Sequence, residues 1–364
     1  MKPDPIIDAD GHVLENTIDW EAGLPDSLKP LAPKNLTVDT GGGRMLIEGK
    51  IWPQPWGMGR GAVAPPVAPM SYREGAIDPS RHIADLDAEG GIDVAFNYGA
   101  VVGVGVSGLD TAELAAALAR IYNDWLAAYC AYAPDRLKAV AAIPLQDVSL
   151  AVAEARRAIE ELGMTGVSIP SNVHGRPLHD ITFEPFFAEV ERLGVPLGIH
   201  VGPGIHGVPV AGADRFDNFL MIHPISHPFE QMLAMVSLII GGVLERQPKL
   251  KVAFLESGAG WVPFITERMD EDYEKLPTLA PSLKGKPSDY VRSGRCFFAC
   301  GPDESTLPMV LEFAGEDHVI YASDYPHWDC KFPESARAIY QREDISPQQK
   351  AKVLGDNARR LYGL

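Results

Sequence analysis

LKAVAAIPLQDVSLAVAEARRAIEELGMTGVSIPSNVHGRPLHDITFEPFFAEVERLGVPLGIHV, residues 137–201, is the stretch whose reading decides the fold. Short apolar runs at Leu137–Ile143, Gly166–Pro170 and Pro196–Val201 alternate with helical patterns over Leu150–Leu162 and Phe183–Leu193. That alternation is the signature of parallel strands joined by helical crossovers. Local chemistry agrees with it. Asp147 or Ser149 is placed to cap the first of these helices, and Gly163 and Gly194 stand where helix C-caps fall.

Working outward, the same pattern recurs. Further strands are predicted at Ile6–His12, Val94–Gly99, Lys251–Glu256, Cys296–Cys300 and Val319–Ser323, and further helices at Thr111–Tyr132, Pro228–Arg246 and Ser305–Phe313. Eight strands in an α/β chain predict a (β/α)8 TIM barrel, here a single domain spanning residues 1–364. Barrels of ~250 residues grow by insertions, and residues 16–80, rich in Pro, Gly and Trp, read as an inserted lid after strand 1. A hairpin is expected there over Asp39–Lys50. A second irregular stretch, Gly202–His227, is expected to cover the same face. An open doubly wound sheet ranks second, because Gly99–Gly105 and Gly41–Gly43 lack the GxGxxG order of a phosphate cradle.

Composition narrows the partners. The 46% hydrophobic and 22% charged residues suit a folded globular protein, and the net charge of −17 argues against nucleic acid, whose binders concentrate Lys and Arg. The N-terminus MKPDPIIDADGH lacks the basic and apolar regions of a secretion signal, so a cytoplasmic location is expected. The apolar run Met232–Leu244 is too short to span a bilayer, which needs ~20 residues, and reads as a buried helix; no membrane partner is expected. Cys130, Cys296, Cys300 and Cys330 form no CxxC pair and are expected to be reduced.

Functional side chains of a barrel gather at the C-terminal ends of its strands. The first strand ends in Asp10-Gly11-His12, the fifth in His200, the sixth in Glu256 and the eighth in Asp324, with His327 three residues on. Asp10 and His12 are two apart on an extended strand and project to one side. His200 closes an apolar run, either as a metal ligand or as a core histidine bonded to backbone. Asp324 is a candidate ligand or helix cap. Glu256 is a candidate ligand, general base or cap. His223 and His227, four apart, share a face if helical and serve substrate, a second ion or the surface. Trp52, Trp56, Trp261 and Trp328 are candidate pocket walls, and Arg44, Arg60 and Arg73 candidate carboxylate clamps.

Four stretches together resemble the amidohydrolase superfamily, in its amidohydrolase-2 branch related to aminocarboxymuconate semialdehyde decarboxylase. They are IIDADGHVLE (6–15), GIHVG (198–202), GGVLERQPKLKVAFLESGAGWVPF (241–264) and HVIYASDYPHWD (318–329). The resemblance implies that Asp10, His12, His200 and Asp324 ligate one divalent metal ion, zinc or manganese first and iron next, with Asp324 also taking a proton from metal-bound water. Two departures stand out. Asp10 replaces the first His of the usual His-x-His, which makes the site harder, and Glu256 replaces the usual sixth-strand His. The fourth strand carries no Lys or Glu, so the carbamylated lysine of dinuclear relatives has no counterpart.

The leading expectation is metal-dependent hydrolysis of a small organic substrate: activated water attacks, Asp324 takes the proton, and Glu256 and His227 assist. The alternative is non-oxidative decarboxylation of an aromatic or unsaturated carboxylic acid. Two further readings are an iron or manganese oxygen-activating enzyme and a non-catalytic partner subunit. The resemblance implies a homo-oligomer, with a homodimer expected.

Overall fold

The computed structural model describes residues 5–37, 43–52, 57–58, 73–201 and 210–364. Eight strands lie parallel in chain order: β1 Ile7–Val13, β2 Val94–Gly99, β3 Leu137–Ala142, β4 Gly166–Ile169, β5 Leu197–Ile199, β6 Val252–Phe254, β7 Cys296–Cys300 and β8 Val319–Tyr321. Each pairs with the next. The first and last then meet. The Asp324 N–H donates to the Asp10 carbonyl at 3.0 Å, and the His12 N–H to the Tyr325 carbonyl at 2.6 Å.

Helices α1 Pro79–Ala88, α2 Ala112–Cys130, α3 Val148–Glu160, α4 Glu184–Leu193, α5 Phe219–Ile240, α6 Val262–Lys275 and α7 Leu307–Ala314 follow the first seven strands in turn. α8 Ser335–Tyr340 and α9 Asn357–Tyr362 come after β8. α2 buries Leu114, Leu118, Tyr122 and Leu126, a stripe at helical spacing that faces the strands. The Asp147 carboxylate caps α3 by accepting from the Ser149 and Leu150 N–H groups, and Gly194 ends α4 in the left-handed conformation.

Inside the strands a separate apolar cluster forms from Ile7, Ala9, Phe96, Tyr98, Val140, Leu255, Phe297 and Ile320, joined by Ala358 and Leu361 of α9. Lys251, just before β6, donates to the Arg360 carbonyl at 2.5 Å. α9 therefore stops the N-terminal end of the barrel, and the C-terminal end is left to chemistry.

Three expectations need correction. The hairpin expected at Asp39–Lys50 falls partly outside the described residues; what is seen is an antiparallel sheet of Lys34–Thr37, Gly43–Ile47 and Lys50–Trp52, turning at Glu48 and Gly49 with φ of 53° and 74°. The stretch Gly202–His227 is not irregular to its end. Residues 202–209 lie outside the described set, but α5 begins at Phe219, where the Asn218 side chain accepts from the Leu220 N–H at 2.9 Å. Pro224 and Pro228, the latter the expected first residue of the helix, sit inside α5 on its first half, where Leu220 and Met221 are exposed and water can meet the carbonyls a proline frees. α5 stops at Ile240 rather than Arg246, because Gly242 turns left-handed with φ 77°.

Candidate metal centre

Asp10 and His12 reach the barrel interior through a bulge. Asp8 pairs with Ala95 and Gly11 with Asn97, so β1 uses one residue more than β2 across that step. Ile7 and Ala9 pack inside before the bulge; the change of phase turns Asp10 and His12 inward after it. Asp8 is buried and fixes this end of β1 to β8, accepting from the Ser323 N–H at 2.9 Å and from the Ser323 hydroxyl. Burial pushes the Asp8 carboxyl up to about 6, against the pull of those hydrogen bonds.

Four of the sequence-predicted residues converge. His12 Nε2 lies 3.3 Å from His200 Nε2, 3.8 Å from Asp10 Oδ1 and 3.4 Å from Asp324 Oδ1, and His200 Nε2 lies 3.7 Å from Asp10 Oδ1. Tetrahedral ligands at bond lengths of ~2.1 Å stand about 3.4 Å apart, so the spacings among Asp10, His12 and His200 suit one cation, and Asp324 adjoins that set through its approach to His12 Nε2. The imidazoles are aimed for it. His12 Nδ1 is 2.9 Å from the Gly99 carbonyl and His200 Nδ1 is 3.4 Å from Glu256 Oε2, which turns both Nε2 atoms to the centre. Both Asp10 oxygens are buried with no hydrogen-bond partner among the described residues. Burial, then the Asp324 and Glu256 charges, pushes the Asp10 carboxyl well above its ordinary range, a penalty that a cation would relieve. Burial holds the His200 imidazole down to about 4, hence neutral and able to ligate.

Glu256 and Asp324 lie two and three residues past the ends of β6 and β8, with φ of 54° and 56°, a left-handed conformation that non-glycine residues adopt under constraint. Glu256 lies 3.4 Å from His327 Nδ1 and 3.8 Å from His227 Nε2. Although burial opposes it, the His200, His327 and His227 imidazoles hold the Glu256 carboxyl at about 2. His227 is on α5 beside His223, their rings 4.2 Å apart, so the HPISHP pair does share a helix face.

His327 is the residue that strand-end reasoning left without a role. Its N–H donates to the Asp324 carbonyl at 2.8 Å, and the turn returns its ring to stack on His12 at 4.1 Å. Its Nδ1 is 2.6 Å from Asp324 Oδ1, an ionic contact out of hydrogen-bonding alignment. Burial disfavours its charge, but Asp324 and Glu256 outweigh that and raise it well above the usual imidazole range. The spacing Asp324-x-x-His327 was the available signal.

A pocket of about 360 Å³ opens over the cluster, with Asp10, Glu256, Asp324, His223, His227 and Cys300 on its lining. Of the candidate walls, Trp328 is 37% exposed and meets His223 edge-on at 5.7 Å, whereas Trp52 and Trp261 are packed into the core. Arg73 is spent over the Phe332 ring at 3.5 Å. Trp56 and Arg60 lie outside the described residues.

Over 253 residues the chain is 32% identical to a 2-amino-3-carboxymuconate-6-semialdehyde decarboxylase of Dictyostelium discoideum, covering 68% of this chain and 67% of the relative. It is 29% identical to a gamma-resorcylate decarboxylase of a Rhizobium strain, covering 68% and 76%. Among solved structures, an amidohydrolase of Mycobacterium avium subsp. paratuberculosis superposes with a TM-score of 0.78 at 19% identity, covering 99% of this chain and 98% of that one. A 5-carboxyvanillate decarboxylase of Novosphingobium aromaticivorans, solved with bound manganese, does so with a TM-score of 0.72 at 23% identity, covering 99% and 97%. Both share the fold. The amidohydrolase family pattern matches residues 7–364, and this chain belongs to that family of metal-dependent enzymes.

Proposed function

We propose that the chain is a divalent-metal-dependent decarboxylase of a small aromatic or unsaturated carboxylic acid, acting without oxidation. This reverses the order in which the sequence alone ranks hydrolysis and decarboxylation. The reason is the relatives, whose names at 32% and 29% identity are those of decarboxylases. The single observation that carries the metal requirement is Asp10, a buried carboxylate with both oxygens unpartnered among the described residues, facing two Nε2 atoms.

Asp10, His12, His200 and Asp324 would hold the ion, with manganese, zinc and iron the candidates. When bound, it supplies a Lewis acid that holds the substrate's carboxylate or an adjacent hydroxyl and draws electron density from it. Decarboxylation breaks the bond to the carboxyl carbon, leaves the electron pair on the ring or alkene carbon, and requires a proton there. Asp324 and His327 are the proton carriers in this reading: Asp324 lines the pocket, and Nδ1 of His327 stands 2.6 Å from its Oδ1. Pro224, Pro228, Ala299 and Ala322 give the lining an apolar part beside the carboxylates and imidazoles.

A second reading, hydrolysis, is favoured by Glu256. Two carboxylates side by side suit proton removal from water better than proton delivery to carbon, and Glu256 stands where the resemblance implies a His. One assay separates them. Manganese-loaded protein is given a panel of hydroxylated benzoic and unsaturated dicarboxylic acids, and a panel of their amides and esters. Carbon dioxide release without incorporation of solvent oxygen into the product is expected; turnover of only the amides or esters overturns the proposal.

We also read residues 16–80 as a cover inserted into one barrel domain. The turn at Glu48 supports this: its carboxylate accepts from the Asp110 and Thr111 N–H groups at 2.8 and 2.7 Å, at the start of α2 and hence on the face that carries the site. A homo-oligomer remains a proposal from the resemblance.

A further inference from the structure

α5 contributes more to the site than His227. One turn along the same face lies Gln231, fully buried, whose Nε2 donates to the Ile199 carbonyl at 2.7 Å and to the Leu255 carbonyl at 2.8 Å. Those two carbonyls belong to the peptides that lead into His200 and Glu256. The ladder between β5 and β6 ends at this level, with Ile199 opposite Phe254 and the Leu255 N–H on the Ile199 carbonyl at 3.1 Å. One planar amide thus spans the place where the two strands part, and its two N–H groups hold both exits at a fixed angle.

Core packing alone gives no reason for this amide. Gln231 lies on the buried face of α5 with Ala234, Met235 and Leu238, where an apolar side chain of equal length would fill the space. Its Oε1 is buried without a hydrogen-bond partner among the described residues, a cost that a buried amide carries and a methionine would avoid. The neighbouring Glu230 offers a contrast: its carboxylate accepts from the Ala211 N–H at 2.7 Å and the Ser171 hydroxyl at 2.6 Å, which accounts for it as a tie between loops. What Gln231 holds is strained. Glu256 keeps its φ of 54° only where its surroundings fix it, and the Leu255 carbonyl sets the peptide plane from which that angle is measured.

We propose that Gln231 is a positioning residue for the metal centre. Its amide fixes the directions in which His200 and Glu256 leave β5 and β6, keeps His200 Nδ1 against Glu256 Oε2 at 3.4 Å, and so holds His200 Nε2 toward the cation. Gln231 lies off the pocket lining and acts through the backbone. The proposal rests on the cation site of the preceding sections.

The test uses Mn²⁺ or Co²⁺ alone on the full chain, stripped of metal with a chelator. Calorimetry gives the Mn²⁺ Kd, and the visible absorption bands of bound Co²⁺ report the geometry of its ligands. Gln231→Met keeps length and volume but loses both donors. It is expected to bind Mn²⁺ about 10- to 100-fold more weakly, with shifted Co²⁺ bands and a wild-type circular dichroism spectrum. Ser237→Ala removes the α5 hydroxyl that accepts from the His179 N–H at 2.9 Å; it is the control for a merely structural loss and is expected to change neither reading. If Gln231→Met does not fold, Gln231→Asn, whose amide is drawn back by one carbon, is read in the same way. Wild-type affinity and wild-type Co²⁺ bands in the Gln231 variant overturn the proposal, as does an equal loss in Ser237→Ala. A wild type that binds no Mn²⁺ overturns the cation site itself.

Discussion

Asp324 is the residue on which both chemistry and geometry turn. It lies 3.4 Å from His12 Nε2 and 2.6 Å from His327 Nδ1, so its charge is needed on both sides. Asp324→Asn keeps the shape and an oxygen ligand but loses the proton carrier. Its kcat is expected to fall by about 10² to 10⁴ with bound metal retained or nearly so; steady-state rates and metal content on one preparation check this, and unchanged turnover would refute the role. Asp10, His12, His200, Glu256 and Asp324 were legible in the sequence because barrel strands deliver their last residues to one rim. His327 was named there three residues after Asp324 but given no role, because it reaches the site by a turn after β8 that no strand or helix period marks. Asp8 was also missed: a carboxylate buried on Ser323 looks, in sequence, like one more member of an acidic strand end.

At the level of elements, the close approach of β2 to the turn that follows it sets where His12 can point. A Cβ on Gly99 would fall 2.6 Å from Gly103 Cα and 2.7 Å from Glu15 Oε1, neither free to retreat. Gly99→Ala is expected to destabilise the chain by about 1 to 3 kcal/mol. By moving the carbonyl that holds His12 Nδ1, it should also weaken Mn²⁺ binding, which calorimetry can measure. α1 carries a separate pH liability. His82 is buried against Tyr129 and Tyr325, and burial holds it down to about 3. A depressed imidazole stabilises fully above its ordinary value near 6.5, and that contribution is lost as pH falls toward 3. The expected loss is at most ~1.4 kcal/mol per pH unit in that window. Denaturant melts of wild type and His82→Gln should converge as pH drops; parallel curves would count against it. The strand and helix periods were readable here almost throughout. No helix was named for α1, α8 or α9, and the start of α5 was hidden because Pro224 and Pro228 are breakers in an average helix and are tolerated where the helix start faces water.

The whole molecule separates stability from chemistry along the barrel axis. α9 and the apolar interior close one end, and four acidic or imidazole strand ends open at the other. Among the described residues no helix is long and apolar enough to cross a membrane. Metal should therefore act as a brace across β1, β5 and β8. Mn²⁺ at a hundredfold excess over its Kd is expected to stabilise by ~2.7 kcal/mol, raising Tm by roughly 3 to 4 °C, with a chelator reversing it. Anomalous diffraction at the manganese edge from crystals of the Mn²⁺-loaded protein tests the central claim most directly. The account predicts a peak about 2.0 to 2.3 Å from ligand atoms of Asp10, His12, His200 and Asp324; strong manganese peaks that all lie away from these four side chains would contradict it.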